Sequence, residues 1–226
     1  MRIYPPFAYA IVKATTWTFL SARFSLKVSG QENVPRHGPL IFASNHASHL
    51  DPVVLGCSSP RRVTFMARNT LWNGFWMTLF MDSMECIPLR RGESDVWAIR
   101  EAVRRLRKGA VLGLYPEGTR SEDGRLGKAK RGIGLLATLA KVPIVPVVVT
   151  GTREALPKGA KGLGKSKIRV AFGKPIPYTT DPAVEAGKGE RNADTQDQLA
   201  EAVTRSWQTL LANLKDSSHG TNPGRP

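Results

Sequence analysis

The sequence predicts an α/β fold: a mostly parallel central sheet flanked by helices, with an N-terminal membrane-associating helix and an amphipathic helix at the C-terminus. Strand-like apolar runs alternate with helical segments through the middle of the chain, which is the pattern of a parallel sheet. Polar stretches at residues 45–51, 90–92 and 116–121 each follow such a run, at the strand ends where a parallel sheet gathers its functional loops. A chain of 226 residues that is 41% hydrophobic can bury one full core, so a single domain is expected, over residues 24–178. Residues 1–23 form a helical segment ahead of it, residues 179–215 a linker and C-terminal helix, and residues 216–226 a disordered tail.

The segment from Tyr4 to Leu20 is rich in apolar and aromatic side chains, among them Phe7, Tyr9, Ile11, Val12, Trp17 and Phe19. It is short for a membrane span, and Lys13, Thr15 and Thr16 interrupt it. Pro5, Pro6 and Lys13 argue against a signal peptide, and no small-residue cleavage site follows. Two arrangements stand: an interfacial helix with Trp17 and Phe19 at headgroup depth, or a helix packed on the domain. Phe24-Ser25-Leu26-Lys27-Val28 alternates like a strand, and Gly30 to Pro39 is a turn-rich connection into the buried strand Leu40-Ile41-Phe42-Ala43. Asp51-Pro52 opens a helix, and Arg61 to Ala67 gives a second core strand. Leu71 to Met84 is unusually apolar and fits either a buried helix or the wall of an acyl-chain groove.

Cys86-Ile87-Pro88-Leu89 is a short strand that delivers Arg90 and Arg91. Ser94 opens an amphipathic helix with Val96, Ile99, Val103 and Leu106 on its apolar face and Arg100, Arg104, Arg105 and Arg107 elsewhere; Gly109 ends it. Val111 to Tyr115 is a strand, Pro116 to Gly127 a loop and Gly132 to Lys141 a helix. Ile144 to Val149 and Ile168 to Phe172 are further strands. Leu199, Val203, Trp207, Leu210, Leu211 and Leu214 mark the last helix as amphipathic.

The net charge of +15 predicts an anionic partner: nucleic acid, an acidic membrane surface or a phosphorylated substrate. Nucleic acid is disfavoured, because basic residues are not interleaved with aromatics and no base-reading motif occurs. Cys57 and Cys86 make neither a disulfide framework nor a zinc pattern, so a reducing, cytoplasmic setting fits, with each cysteine a small core residue.

The stretch Asn45-His46-Ala47-Ser48-His49-Leu50-Asp51 joins the Leu40 strand to the Pro52 helix. On a continuous helix His46 and Asp51 would point roughly 140° apart, so they can meet only if the chain bends between them. A carboxylate-held imidazole has a fixed tautomer and a stabilised imidazolium form, which suits it to take a proton from a hydroxyl. His46 is then a general base and Asp51 its orienter. The plainer alternative makes Asp51 or Ser48 an N-cap.

In chain order NHASHLD is followed by Ile87-Pro88-Leu89-Arg90-Arg91-Gly92, by Tyr115-Pro116-Glu117-Gly118-Thr119-Arg120-Ser121 and by Val142-Pro143-Ile144-Val145-Pro146-Val147. These strings resemble the four sequence blocks of the glycerolipid acyltransferases, most closely the lysophosphatidic acid acyltransferases, over about residues 30 to 175. The resemblance implies transfer of an acyl group from acyl-CoA or acyl-carrier protein to the free hydroxyl of lysophosphatidate, without an acyl-enzyme. No cofactor or metal is implied. It assigns His46 and Asp51 to catalysis, and Asn45, Ser48, Arg91, Glu117, Gly118, Thr119 and Arg120 to substrate binding; Lys130, before a predicted helix start, is read from its own position as a further anion-binding residue. Within that set Arg91 and Arg120 clamp the acceptor phosphate, for which the planar guanidinium fork is suited, and Glu117 positions polar substrate groups. The block pattern often has an acidic residue where Arg90 stands, which adds positive charge near the acceptor. Two plainer alternatives stand beside these roles: a Glu117/Arg120 ion pair that shapes the loop, and a solvated basic loop around Lys130-Arg131-Gly132 in place of an anion site at a helix start.

The expected setting is the cytoplasmic face of the cell membrane, peripheral or monotopic, with an anionic membrane surface and a lysophospholipid as partners. Acceptors such as glycerol-3-phosphate or another lysolipid are the alternative. More remote are a metal-dependent hydrolase built on His46, His49 and Asp51, for which no catalytic ligand spacing is present, and a basic nucleic-acid-binding protein.

Overall fold

The computed structural model describes residues 6–74, 78, 81, 82, 85–89, 96–157, 159, 160, 162–178 and 193–219. Seven strands form one sheet: β1 (Lys27–Ser29), β2 (Leu40–Ser44), β3 (Thr64–Arg68), β4 (Ile87–Leu89), β5 (Val111–Leu114), β6 (Ile144–Thr150) and β7 (Arg169–Phe172). Their spatial order is β1-β7-β6-β2-β5-β3-β4, and every neighbouring pair is parallel except β6 with β7. The expected mostly parallel sheet is therefore present; β7 runs antiparallel to β6, and β1, paired parallel with β7, forms the edge on that side. β2 lies at the centre between β5 and β6, and all five of its residues are buried.

Two apolar layers cover the sheet. Helices α1 (Pro6–Phe24) and α2 (Asp51–Ser58) pack on one face, where Leu20, Phe24, Val54 and Leu55 meet Leu40, Phe42 and Val147. On the other face α3 (Val96–Arg107), α4 (Gly132–Ala140) and α6 (Ala193–His219) bury Ala98, Ala102, Leu106, Leu136, Val203 and Trp207 against Ile41, Ala43, Ile144 and Val148. A short helix, α5 (Thr152–Ala155), follows β6 directly. Trp207 is fully buried and its Nε1 donates to the carbonyl of Ala43 at 2.9 Å. The C-terminal helix is thus anchored on the strand that leads into the His46 turn.

Several boundaries differ from the sequence expectation. Phe24 ends α1 instead of opening a strand, because its ring sits in the core beside Leu20, and Ser25 then turns the chain with φ 48°. α3 buries Ala98, Ala102 and Leu106, while Ile99 and Val103 of the expected face pack half-buried against the same core; Val96, also expected there, and Trp97 are exposed. Alanines on that face let the helix approach the sheet closely, so close packing outweighs side-chain size in choosing the buried face. α6 continues to His219, beyond residue 216 where the tail was expected to begin. Arg90, Arg91 and Gly92, half of the Leu71 to Met84 stretch, the linker through residue 192 and the tail from residue 220 lie outside the described residues.

α1 is held to the domain along one side: Leu20 and Phe24 are core, Tyr9 and Trp17 pack against it, and Lys13 Nζ donates to the Ser59 carbonyl at 2.6 Å. Trp17 therefore faces the protein, whereas Ile11 (59% exposed) and Phe19 (51%) face outward. Among the described residues no helix is long and apolar enough to cross a membrane.

Candidate active site

The strand β2 ends at Ser44 and the chain turns sharply before α2 begins at Asp51. The turn is pinned to both neighbouring strands. Toward β6, Asn45 makes a closed pair with the backbone of Val149, its Nδ2 donating to the carbonyl at 2.9 Å and its Oδ1 accepting from the amide at 2.8 Å. Toward β5, the amide of His46 donates to Glu117 Oε1 at 3.1 Å, and the His46 carbonyl accepts from the Ser121 amide at 2.7 Å. His46 is thereby clamped by the loop that follows β5, the strand beside its own.

Asp51 is fully buried and surrounded by donors. Its Oδ2 accepts from the amides of Ala47 (2.7 Å) and Ser48 (2.8 Å) and lies 2.8 Å from His46 Nδ1; its Oδ1 accepts from Thr152 Oγ1 at 2.5 Å. The carboxylate points back into the turn, not forward along α2, and no side-chain cap bond is made at that helix start, so the N-cap alternative does not hold. Because the carboxylate can only accept, His46 Nδ1 is the donor of the bond they share, which in the neutral imidazole leaves Nε2 as an acceptor. The imidazole keeps a side-chain exposure of 20%, enough for a substrate hydroxyl to reach it. One face of its ring is stacked on Tyr115, at 4.2 Å between centroids and 25° between planes.

The remaining assigned residues divide into those that build the turn and those that face the cleft. Ser48 Oγ donates to the Leu156 carbonyl (3.1 Å) and accepts from the Leu50 amide (3.2 Å), so Ser48 and Asn45 spend their side chains on the protein itself. Glu117 is only 8% exposed, and its carboxylate accepts from the backbone of His46 and of Gly127. Burial raises its carboxyl above the ordinary range, opposed by those two amides. It makes no ion pair with Arg120 and supports the histidine backbone instead. Gly118 has φ +78°, and a Cβ there would lie 2.9 Å from Lys130 Nζ, so the glycine both makes the turn and leaves room for the lysine. The Lys130 amide donates to the Pro116 carbonyl at 2.9 Å, which fastens the start of α4 to the same loop. Arg131 is drawn away to Gln196 Oε1 at 2.9 Å.

Thr119 is exposed and Arg120 half-exposed, with no hydrogen bond or ion pair from the guanidinium among the described residues. Burial, with Arg120 and then His46 nearby, holds the His49 imidazole below the ordinary histidine value, so His49 adds no charge to the cleft at neutral pH. Burial pushes the Cys57 thiol up to about 11 and the Cys86 thiol up to about 12, which makes neither a nucleophile at neutral pH. Among the described residues no three His, Cys, Asp or Glu side chains gather as a metal site.

Sequence reasoning missed Thr152, whose hydroxyl fixes the second oxygen of Asp51 from 101 positions away. The available signal was its place: it follows β6, the other strand flanking β2, at the same end of the sheet.

The structure thus sets a carboxylate-held imidazole on a turn at the carboxyl end of a central parallel strand, beside a guanidinium that has no partner among the described residues, an arrangement able to take a proton from a hydroxyl. Residues 25–150 match the family described as Acyltransferase, and the chain belongs to that family. It is 31% identical over 160 residues to a 1-acyl-sn-glycerol-3-phosphate acyltransferase of Bacillus subtilis, covering 70% of this chain and 76% of that protein. It is 33% identical over 169 residues to the chloroplastic 1-acyl-sn-glycerol-3-phosphate acyltransferase LPAT1 of Arabidopsis thaliana, covering 72% of this chain and 47% of that one. The chain thus spans about half the length of the chloroplast relatives it matches. The crystal structure of the 1-acyl-sn-glycerophosphate acyltransferase PlsC from Thermotoga maritima shares the fold, with a TM-score of 0.73 at 24% identity over 90% of this chain and 80% of that one.

Proposed function

We propose that the chain transfers a fatty acyl group from a thioester, acyl-CoA or acyl-carrier protein, to the free hydroxyl of lysophosphatidate, giving phosphatidate. The observation that carries this reading is the His46–Asp51 pair, which lies inside the segment matching the Acyltransferase family, in a chain similar to proteins named for that reaction. His46 Nε2 takes the proton of the acceptor hydroxyl as its oxygen attacks the thioester carbonyl. The tetrahedral oxyanion collapses, the C–S bond breaks, and the departing thiolate recovers the proton from Nε2. A thioester is reactive enough that positioning and one base suffice, so no acyl-enzyme is required. Arg120 is the phosphate-binding residue in this scheme, with Arg91 joined to it on the block resemblance alone.

The test pairs lysophosphatidate, glycerol-3-phosphate and a monoacylglycerol with one acyl-CoA. Wild type should prefer lysophosphatidate. Arg120→Ala should raise the KM for lysophosphatidate more than that for the donor, by about 1.5 to 3 kcal/mol of lost charge-assisted bonding. Lysine should rescue only in part, since it keeps the charge but not the fork. An equal loss by Arg120→Ala on the phosphate-free monoacylglycerol would remove Arg120 from phosphate binding.

The same reading places the protein on an anionic membrane surface, peripherally and on its cytoplasmic side, where its acceptor is found. The support is the net charge of +15 and the outward Ile11 and Phe19 of α1. Deleting α1 is a poor test, because Leu20 and Phe24 belong to the core. The double variant Ile11→Ser/Phe19→Ser is the better one, since substitutions at exposed sites leave folding within about 0.5 kcal/mol. Its cosedimentation with anionic vesicles should fall well below wild type; unchanged binding would move the membrane contact elsewhere on the surface.

A further inference from the structure

The His46 imidazole is fixed at one edge by Asp51, and its ring face rests on Tyr115. That contact is prepared by three features of the sequence. Pro116 forces the residue before it into an extended conformation, so Tyr115 continues the line of β5. Alternation along that line puts Val111, Gly113 and Tyr115 on the face covered by α1 and α2, the face that also carries the His46 turn. Gly113 has no side chain because the Phe65 ring from β3 fills its place: a Cβ there would lie 2.4 Å from Phe65 Cε1. Phe65, the register partner of Gly113, lies 6.4 Å from the Tyr115 ring and only 9° from parallel to it. The result is a column of Phe65, Tyr115 and His46, seated on a glycine.

The tyrosine hydroxyl takes no part in this column. It is buried and has no hydrogen-bond partner among the described residues, a cost that a ring alone would avoid. What the site uses is the ring face. An aromatic face carries negative charge density, so at stacking distance it attracts a positive ring and prefers a defined offset. During the reaction His46 becomes an imidazolium over that face.

We propose that Tyr115 is a positioning residue for the general base: its ring holds the His46 imidazole in the plane in which Nδ1 meets Asp51 and Nε2 meets the acceptor hydroxyl, and it stabilises the imidazolium formed during transfer. The proposal rests on the acyl-transfer reading for its kinetic consequences, while the orientation of the imidazole can be measured without turnover.

The experiment compares Tyr115→Phe, Tyr115→Leu and a form carrying ring-fluorinated phenylalanine at 115, which keeps the shape and weakens the negative face. Each is assayed beside wild type. Tyr115→Leu should lose about tenfold or more in kcat with both KM values within about twofold. Tyr115→Phe should recover kcat to within about threefold of wild type and melt no lower than it, since it removes only the unpaired hydroxyl. The fluorinated form should fall between the two, and it tests the ring face even if the leucine variant fails to fold. In proton NMR, the low-field signal of an imidazole N–H held by a carboxylate, assigned by its loss in His46→Ala, should persist with Phe and broaden or vanish with Leu. Full kcat in the leucine and fluorinated forms, a loss confined to KM, or failure of phenylalanine to rescue would each overturn the proposal. Inactivity of wild type itself with all acceptors would instead overturn the acyl-transfer reading, leaving the NMR comparison to decide the role of Tyr115.

Discussion

His46→Ala is expected to lose about 10²- to 10⁴-fold in kcat, the usual worth of a general base, with acceptor and donor KM nearly unchanged. The fold should survive. The His46 backbone bonds to Glu117 and Ser121 do not depend on its side chain, and Asp51 keeps its bonds to Ala47, Ser48 and Thr152 when the imidazole is removed. Removing the imidazole also leaves no buried polar group without a partner, so the large destabilisations that follow such losses are not expected. Activity close to wild type would show that the hydroxyl is deprotonated by some other group.

Asp51→Asn should have the second largest effect, and the geometry makes it a clean test of charge. The asparagine oxygen can stand where Oδ2 stands, accepting from Ala47, Ser48 and His46 Nδ1, while its NH₂ donates to Thr152, whose hydroxyl is able to accept. The turn is preserved and only the negative charge is lost. The imidazolium formed during transfer then lacks its counter-charge, which should cost about 1.5 to 3 kcal/mol, or roughly 10- to 150-fold in kcat, with thermal stability near wild type. Asp51→Ala should differ in kind, because it strands two amides in a buried turn and so lowers the melting temperature as well. If Asn at 51 matches wild type in kcat, the carboxylate is structural only.

The His46–Asp51 pair was legible in the sequence because both residues lie within one turn between an apolar strand and a Pro-initiated helix, so local geometry settles their meeting. The residues that hold the pair were not. Asn45 reaches Val149 across 104 positions and Asp51 reaches Thr152 across 101, and such contacts follow from strand order, which no local pattern encodes. The family resemblance assigned Asn45, Ser48 and Glu117 to substrate binding, whereas the structure turns their side chains toward the protein, where they hold the turn that carries His46. The parallel sheet followed from the alternation of elements, whereas the reversal of β7 did not, since a buried strand of either direction shows the same apolar run. Polar residues such as Lys13, Thr15, Thr18 and Arg23 are spread around α1 among the apolar ones, so periodicity gave no means of telling that Leu20 and Phe24 turn inward and Ile11 and Phe19 outward.

The most direct test of the account follows both products of one reaction. Purified protein is incubated with lysophosphatidate and an isotope-labelled acyl-CoA, and phosphatidate is quantified by mass spectrometry alongside the thiol released. The account predicts one labelled phosphatidate for each thiol in wild type, and loss of both products together in His46→Ala. Recovery of the label as free fatty acid, or thiol release in His46→Ala at the wild-type rate, would contradict it.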